Sequence, residues 1–486
     1  MFIKELIISN FKSFNGNINP ITFNIPNGNI GSGLNIFVGE NNTGKSTAFE
    51  AIDFVRNGTK KNIDNIKNKN NSDHAEVTLT FIGNVHETID FFAQDNKKAI
   101  FKKYPYQDDN GKFLFKISRS TNEVKNVLLW DNITQKCKNE SGIDAPIKKM
   151  FEANFVWADT NPNDEAAFGS TTICGNLLKE IVNGFVETED YGAFKTKFNQ
   201  IFNDDDSGLR KELLQIEQRV QAIFSDQFGD ATIKFHFDEL KIESFFKNTT
   251  IRVNDGINTS MDEKGNGMQR AVVLALLQVY AEELTKHPDD DNLKKPFYLF
   301  IDEPEICLHP KGQEKLLKAL LEIAKTRQVF LTTHSPYFLT SNHLKNIGLH
   351  IFTKNGDSSH VESATIDKLF PWSPTWGEIN FKAYKLPTVE FHNELYGYLQ
   401  EKNNKPLEKD FENWITEQGI RKSKRWTKEK RDNTLDSYDV SLQTFIRNKI
   451  HHPENTTMQS NEYEPEELTQ SIEEMLNLLR DFTNAL

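Results

Sequence analysis

The sequence predicts an α/β protein with a mixed, largely parallel sheet, followed by an α-helical C-terminal domain. A glycine-rich loop, "GENNTGKST", stands between the apolar run "LNIFV" and a segment with helical periodicity. Further along, an apolar strand, an amphipathic helix and a second apolar strand follow one another, as in a β–α–β unit: "FYLFID", "GQEKLLKALLEIAKT" and "VFLTTH". After about residue 360 the pattern changes to aromatic-rich helical segments.

Other strand and helix signals flank these motifs. The N-terminal "FIKELIISNF" alternates apolar and polar residues like a strand, and the helix after the glycine-rich loop is predicted to end near Gly58. "EVTLTFIG" and "FLFKISRS" predict strands of a smaller β lobe, and helical patterns then fill about residues 170 to 245. We therefore predict four domains: an N-terminal lobe at 1–170, a short helical insertion at 171–254, a second lobe at 255–370 and a helical domain at 371–486.

Composition limits the classes of function. The chain has 486 residues and a net charge of −12, so its surface as a whole should repel nucleic acid. Its three cysteines, Cys137, Cys174 and Cys307, lie far apart, which does not indicate a zinc site or a disulfide framework. No apolar run of the roughly 18 residues that a membrane helix needs occurs. We expect a soluble, cytoplasmic protein without a membrane anchor.

The glycine-rich loop has the form of a phosphate-binding loop, Gly39-x-x-x-x-Gly44-Lys45-Ser46. Its glycines let backbone N–H groups curl around phosphates, and the following helix N-terminus adds partial positive charge. Lys45 is expected to reach the β- and γ-phosphates, and Ser46 to bind Mg²⁺. The predicted nucleotide-contacting residues of this loop are Gly39, Asn41, Asn42, Thr43, Gly44, Lys45, Ser46 and Thr47.

Polar side chains follow each strand of the later β–α–β unit. Asp302 ends one strand, at the edge of the sheet where the phosphates should lie, and is expected to hold Mg²⁺ through water. Glu303 is then placed to orient or deprotonate the attacking water. His334 follows the next strand and can reach the γ-phosphate. The predicted catalytic residues are thus Lys45, Glu303 and His334, and the predicted metal ligands are Ser46 and Asp302.

Together these motifs resemble those of the ABC-type ATPases of the RecF, SMC and OLD class. The stretch "IKELIISNFKSF" resembles the opening strand of that class, and "GENNTGKST" resembles its Walker A loop. In the same way, "LFIDEPEICLHP" resembles its Walker B strand and "LTTHSP" its switch histidine. "EKGNGMQRAVVLALL" occupies the place of the ABC signature, where Gly265, Gly267 and Gln269 match a G-x-G-x-Q form. The signature serine is absent, because Lys264 or Asn266 stands there. We therefore expect slow hydrolysis of ATP.

The resemblance implies an ABC-type ATPase head that uses ATP and Mg²⁺. It implies that ATP is sandwiched between two protomers, with Gly265–Gln269 of one facing Lys45 of the other, in a homodimer or higher homo-oligomer. Compact ATPases of this class, including the Septu type, occur in bacterial anti-phage systems together with a nuclease. We therefore expect a sensor or regulator of a partner nuclease. A RecF-like DNA-repair ATPase shares the same motifs and is an alternative, although the acidic surface disfavours it.

The C-terminal domain contains a second candidate site. Arg447, Asn448 and His452 resemble the R-x₄-H motif of HEPN domains, helical bundles that include many RNases. In such sites the arginine stabilises phosphate charge and the histidine acts as acid or base. On a regular helix Arg447 shares a face with His451 rather than His452, but Pro453 should end the helix near His452. The alternative functions are thus an ATP-gated HEPN ribonuclease and a bundle that only docks a partner.

A basic segment precedes this motif. "RKSKRWTKEKR", residues 421–431, places Trp426 among seven basic residues. One interpretation is a patch that contacts nucleic-acid phosphates and stacks a base on the tryptophan. The other, which we favour, is a solvated linker between two helical segments.

Overall fold

The computed structural model describes residues 1–16, 20–59, 62–93, 95–158, 188–204, 206–228, 232, 234–235, 250–286, 296–306, 308–339, 344–364, 368–429 and 434–484. Much of the predicted helical insertion, two of the three cysteines and residues 430–431 of the basic segment lie outside them. The chain forms two compact units. One contains Met1–Phe155, Lys294–Glu305 and His309–Leu486, and the other contains Val156–Leu293 and Ile306–Leu308.

The strands and the α-helices of the described residues are numbered separately, each in chain order. The strands are β1 (Phe2–Ser9), β2 (Ile21–Thr22), β3 (Leu34–Gly39), β4 (Glu76–Ile82), β5 (Tyr106–Gln107), β6 (Phe113–Ser120), β7 (Leu128–Asp131), β8 (Lys136–Asn139), β9 (Glu152–Val156), β10 (Arg252–Asn254), β11 (Asn258–Ser260), β12 (Phe297–Asp302), β13 (Gln328–Thr332), β14 (Gly348–Asn355), β15 (Ser358–Ser363), β16 (Lys424–Glu429) and β17 (Leu435–Val440). The α-helices are α1 (Lys45–Asn57), α2 (Val85–Phe92), α3 (Asp95–Phe101), α4 (Asp144–Met150), α5 (Glu189–Phe202), α6 (Gly208–Phe228), α7 (Asn266–Lys286), α8 (Pro310–Ile323), α9 (Trp376–Tyr384), α10 (Val389–Lys402), α11 (Glu408–Glu417), α12 (Leu442–His451) and α13 (Pro465–Asn484).

The central sheet of the larger unit has six strands in the order β15-β14-β3-β13-β12-β9. Strands β14, β3, β13 and β12 pair in parallel, which confirms the predicted parallel sheet. Every residue of β3, β12 and β13 is buried, as expected for strands covered on both faces. Their carboxyl ends therefore meet at one edge of the sheet.

The predicted smaller β lobe is also present, as an antiparallel sheet in the order β2-β1-β4-β6-β7-β8 with β5 paired to β6. Gln328 joins the two sheets. Its side-chain oxygen accepts a hydrogen bond from the Ile3 N–H at 2.8 Å, and its side-chain nitrogen donates to the Ile3 carbonyl at 2.7 Å. Because Gln328 is fully buried at the start of β13, it fixes strand β1 to the central sheet.

Residues 368–484 form what we call the C-terminal bundle, with helices α9 to α13 around an apolar core of their own. Helix α10 packs against α12 and α13 in this core, and α9 also packs against β14 and β3 of the central sheet. The interpretation of the basic segment as a solvated linker is wrong. Residues 424–429 form strand β16, which pairs antiparallel with β17. The hairpin is stable because Trp426 on its inner face is buried in the core of the bundle.

The smaller unit contains α5, α6, the β10–β11 hairpin and α7. Arg210 and Glu217 form an ion pair of 2.7 Å between two buried side chains of α6. Of the helices that the structure describes, none is long and apolar enough to span a membrane.

Candidate functional site

The phosphate loop connects the end of β3 to the start of α1, as the sequence predicts. Gly39 and Gly44 have φ values of 150° and 100°, which residues with a side chain rarely adopt. A Cβ on Gly39 would lie 2.1 Å from the carbonyl oxygen of Phe352, and one on Gly44 would lie 2.6 Å from Ser359 Oγ. The loop can therefore keep this conformation only with glycine at both positions.

Lys45 lies inside the loop and is 5% exposed. Its ammonium group donates hydrogen bonds to the carbonyl oxygens of Gly39 at 3.0 Å and Glu40 at 2.9 Å. Burial lowers the pKa of Lys45, while the nearby carboxylates of Glu303, Asp302 and Glu305 oppose that shift. The side chain thus presents its positive charge to the space that the loop encloses.

Asp302, at the end of β12, is hydrogen bonded to the start of α1 and to the end of β13. Its Oδ1 accepts hydrogen bonds from Ser46 Oγ at 2.8 Å and from Thr332 Oγ1 at 2.6 Å. The same Thr332 hydroxyl accepts a hydrogen bond from the Glu303 N–H at 2.9 Å. A hydroxyl and a carboxylate at this distance are the hard oxygen donors that Mg²⁺ prefers, so the residues present fit this ion.

Glu303 and His334 lie next to this network. Glu303 has a φ of 46°, an unusual backbone conformation for a residue with a side chain and one that is often found at functional sites. Its Oε1 is 3.4 Å from His334 Nε2. Burial lowers the pKa of His334, and the positive charge of Lys45 lowers it further, so the neutral imidazole is favoured. The structure thus brings together the predicted catalytic residues and metal ligands.

Two further residues of the site were not among the predicted ones. Glu305 Oε1 accepts a hydrogen bond of 2.5 Å from the backbone N–H of His334. Tyr384, at the end of α9, donates its hydroxyl to the carbonyl oxygen of Thr333 at 3.1 Å, and its ring centroid is 6.0 Å from that of His334. Glu305 could have been suspected from the acidic run "DEPE", but no sequence signal points to Tyr384, because its partner is 51 residues away.

The signature-like segment lies in the smaller unit. Gly265 directly precedes α7, and a Cβ on it would meet nothing within 4 Å. The buried Gln269 side chain donates to the carbonyl oxygens of Asp262 at 3.3 Å and Lys264 at 2.7 Å, so it supports the loop. The expected apposition of Gly265, Gly267 and Gln269 with Lys45 of a second protomer stays a prediction.

In the C-terminal bundle, α12 ends at His451, which confirms that the helix stops before His452. Asn448 and His452 line a cleft of about 310 Å³. Arg447 donates to the Asn448 side chain at 2.9 Å and lies 3.8 Å from Glu408, while His452 Nδ1 is 3.2 Å from Glu454. Acidic side chains outnumber basic ones in the lining, which is made of Glu408, Trp426, Lys428, Glu429, Tyr438, Asn448, His452, Glu454, Asn455 and Thr456.

The basic segment does not expose a stacking aromatic, because Trp426 is 2% exposed. Its charges also have acidic neighbours. Arg425 lies opposite Asp439 and Lys428 opposite Asp436 across the hairpin, and Lys424 forms an ion pair with Glu467. The described part of this segment is therefore poorly suited to hold a nucleic-acid strand.

Comparison with known proteins finds a similarity to an ATPase domain family in part of the chain. Residues 154–339 match the AAA ATPase domain family. The match includes Asp302, Glu303 and His334 and begins after the phosphate loop. This part of the chain is therefore similar to a family of ATPase domains.

Three relatives share more of the chain. The Old nuclease of Escherichia phage P2 is 26% identical over 64% of this chain and 54% of its own length. Endonuclease GajA of Bacillus cereus (strain HuB5-5) is 22% identical over 77% of this chain and 64% of its own. Septu protein PtuA of Bacillus thuringiensis is 22% identical over 70% of this chain and 73% of its own. The chain thus spans between half and two thirds of the length of the first two.

The geometry of the loop leads to a first prediction. In Gly44→Ala the new Cβ would press on the hydroxyls of Ser359 and Ser13 and displace the loop. We expect the affinity for ATP, measured by calorimetry, to fall at least about tenfold. This loss corresponds to about 1.4 kcal/mol of binding free energy. The control is Gly111→Ala, which has a similar positive φ of 74° but meets nothing within 4 Å. Equal ATP affinity in the two variants would contradict the role of Gly44.

Proposed function

We propose that this protein is a slow, Mg²⁺-dependent ATPase whose nucleotide state regulates a nuclease effector in bacterial anti-phage defence. The observation that carries the proposal is the convergence of Ser46, Asp302, Glu303 and His334 beside the phosphate loop. Asp302 is 2.8 Å from Ser46, and Glu303 is 3.4 Å from His334. This arrangement can hold a triphosphate and deliver a water to it.

Each residue has a role in the proposed reaction. Lys45 and the backbone N–H groups of the loop bind the phosphates. Ser46 and Asp302 would hold Mg²⁺, which neutralises charge on the phosphate oxygens when bound. Glu303 orients the attacking water and accepts its proton. His334, favoured in its neutral form, can hydrogen bond to Glu303 or to the terminal phosphate.

Two considerations support the role as a regulator. Two relatives carry the names of nucleases, the Old nuclease and Endonuclease GajA, and a third is a Septu protein. The serine of the ABC signature is replaced in the segment before α7, which favours slow turnover. A slow ATPase stays in its nucleotide-bound state for a long time, as a switch requires. We expect the switch to be a homodimer or higher homo-oligomer that closes on ATP.

Lys45→Ala tests ATP binding and its link to a nuclease. The variant loses a charge-assisted contact to the phosphates of about 1.5–3 kcal/mol, so ATP affinity should fall roughly 10- to 150-fold. Lys102→Ala, which removes an exposed ion pair with Asp90 in the β lobe, is the control. The measurements are ATP affinity and, for the complex purified with the product of the neighbouring gene, cleavage of DNA and RNA with and without ATP. Cleavage that responds to ATP equally in wild type and Lys45→Ala would refute the proposal.

Glu303→Gln tests the proton acceptor. The amide keeps the shape of the side chain and loses its basicity, so ATP should still bind while the hydrolysis rate falls by about 10²–10⁴-fold. Glu362→Gln is a matched control, because Glu362 also lies beside a histidine, 3.7 Å from His360, but at an exposed position of strand β15. The measurement is phosphate release under saturating ATP. If Glu303→Gln hydrolysed ATP like Glu362→Gln, another residue would be the base.

A second candidate function is an intrinsic ribonuclease in the C-terminal bundle, favoured by the placement of Asn448 and His452 in one cleft. The acidic lining opposes it, because carboxylates repel the phosphates of RNA. Arg447, the residue that would stabilise phosphate charge, already lies 3.8 Å from Glu408. We infer that the bundle docks a partner and is not itself a nuclease.

The two functions of the bundle predict different outcomes for RNA. We expect the purified wild type to leave labelled total RNA intact with and without ATP, and His452→Ala to behave identically. His360→Ala is the control, since His360 and His452 have similarly exposed side chains, 48% and 49%. RNA cleavage by wild type and His360→Ala that is lost in His452→Ala would instead establish the ribonuclease.

A further inference from the structure

One peptide group of the site is held from two sides. The carbonyl oxygen of Thr333 accepts the Tyr384 hydroxyl at 3.1 Å, and the N–H of His334 in the same peptide donates to Glu305 Oε1 at 2.5 Å. Glu305 belongs to the loop after β12, whereas Tyr384 belongs to α9 of the C-terminal bundle. The plane of this peptide determines where the His334 ring points, so both side chains influence its distance from Glu303.

The hydroxyl of Tyr384 stays protonated and can therefore act as a hydrogen-bond donor. Burial raises the pKa of Tyr384, and the nearby carboxylate of Glu305 raises it further. The phenol therefore stays protonated at neutral pH and can donate to the Thr333 carbonyl oxygen. A carbonyl oxygen cannot donate in return, so the direction of this hydrogen bond is fixed.

Helix α9, which carries Tyr384 at its C-terminal end, is stabilised by a cap and by side-chain contacts. Thr375 caps its N-terminus, because its hydroxyl oxygen accepts a hydrogen bond from the Glu378 N–H at 3.2 Å. The buried Glu378 side chain accepts from the Ser373 hydroxyl at 2.6 Å and from Lys382 at 2.8 Å. The helix ends directly after Tyr384, where Lys385 has a φ of 56°. The side chain of Tyr384 thus projects from a capped, ion-paired helix rather than from a loop.

The same helix is tightly joined to the rest of the bundle. A Cβ on Gly377 would lie 2.9 Å from the Cβ and the backbone nitrogen of Phe391, so α9 and α10 approach each other closely. The rings of Phe381 and Phe391 pack with centroids 5.4 Å apart. Phe391 is fully buried in the core of the bundle. A displacement of α10 would therefore be transmitted to α9 and to Tyr384.

We propose that Tyr384 is a positioning residue that couples the C-terminal bundle to His334, so that the bundle adjusts the rate of ATP hydrolysis and senses the nucleotide in return. The coupling rests on the proposed ATPase function. The same contact would carry a change at the Thr333–His334 peptide back to α9 when nucleotide binds, although the symmetry of linkage applies to binding free energies and not to kcat. A partner bound to the bundle would act on the ATPase through this tyrosine.

Tyr384→Phe tests the coupling, because it removes one hydroxyl and keeps the ring. The loss of one neutral hydrogen bond at the reacting centre should lower kcat about 3- to 10-fold. The side chains of Lys45 and Ser46 are unchanged, and the lost hydroxyl accepts one backbone hydrogen bond from Gly39 of the phosphate loop, so the KM for ATP should rise less than kcat falls. In wild type, ATP should also change amide hydrogen exchange in α9 and α10, and this response should be lost in the variant at saturating ATP.

Tyr396→Phe is the matched control. It removes the hydroxyl of another buried tyrosine, which hydrogen bonds to Thr444 at 2.9 Å inside the bundle and not at the ATPase site. Its kcat and exchange response should equal those of wild type. The coupling is refuted if kcat of Tyr384→Phe stays within twofold of wild type, if the exchange response survives, or if Tyr396→Phe lowers kcat equally. Absent hydrolysis by wild type would instead refute the proposed ATPase function.

Discussion

The candidate site depends on one carboxylate, that of Asp302, which accepts hydrogen bonds from Ser46 and Thr332. These residues come from the start of α1, the end of β12 and the end of β13. The parallel pairing aligns Asp302 with Thr332 and Thr332 with Phe37, so β12 and β13 end at the same level and β3 continues two residues further, to Gly39. Glu303 and His334 then follow within two residues of these ends. The geometry of the catalytic groups is thus a consequence of sheet register, which the buried apolar strands fix.

Burial of the site between these strands also shifts the pKa values of its charged side chains. Lys45 is buried beside three carboxylates, those of Asp302, Glu303 and Glu305, and these carboxylates partly oppose the lowering of its pKa by burial. Burial also raises the pKa of Glu305. An excess of carboxylates favours a divalent cation and disfavours a bare triphosphate, which explains physically why the proposed substrate is ATP bound with Mg²⁺. Burial is also the main cause of the lowered pKa of His334, and the positive charge of Lys45 lowers it further.

Much of this site could be predicted from the sequence, because its main residues lie at the end of an apolar strand or shortly after one. The phosphate loop, Asp302 and His334 needed only strand signals and chain order. The position of Tyr384 could not be predicted, since it depends on how α9 packs against β3 and β14. The prediction of a solvated linker for the basic segment was wrong for a similar reason. Its charges indicated exposure, but the tertiary packing of Trp426 and the cross-strand acidic partners turn it into a hairpin.

The contact between Tyr384 and Thr333 gives the C-terminal bundle a means of acting on the ATPase without touching the nucleotide. Lys45 and the phosphate loop set how tightly ATP binds, whereas Glu303 and His334 set how quickly it is hydrolysed. Helix α9 acts on the hydrolysis rate chiefly through the Thr333–His334 peptide, and it reaches the phosphate loop through one backbone hydrogen bond from Gly39 to the Tyr384 hydroxyl. In the proposed switch, the hydrolysis rate determines how long the nucleotide-bound state lasts. A partner that shifts α9 would therefore lengthen or shorten the active period of the switch, even when ATP is saturating.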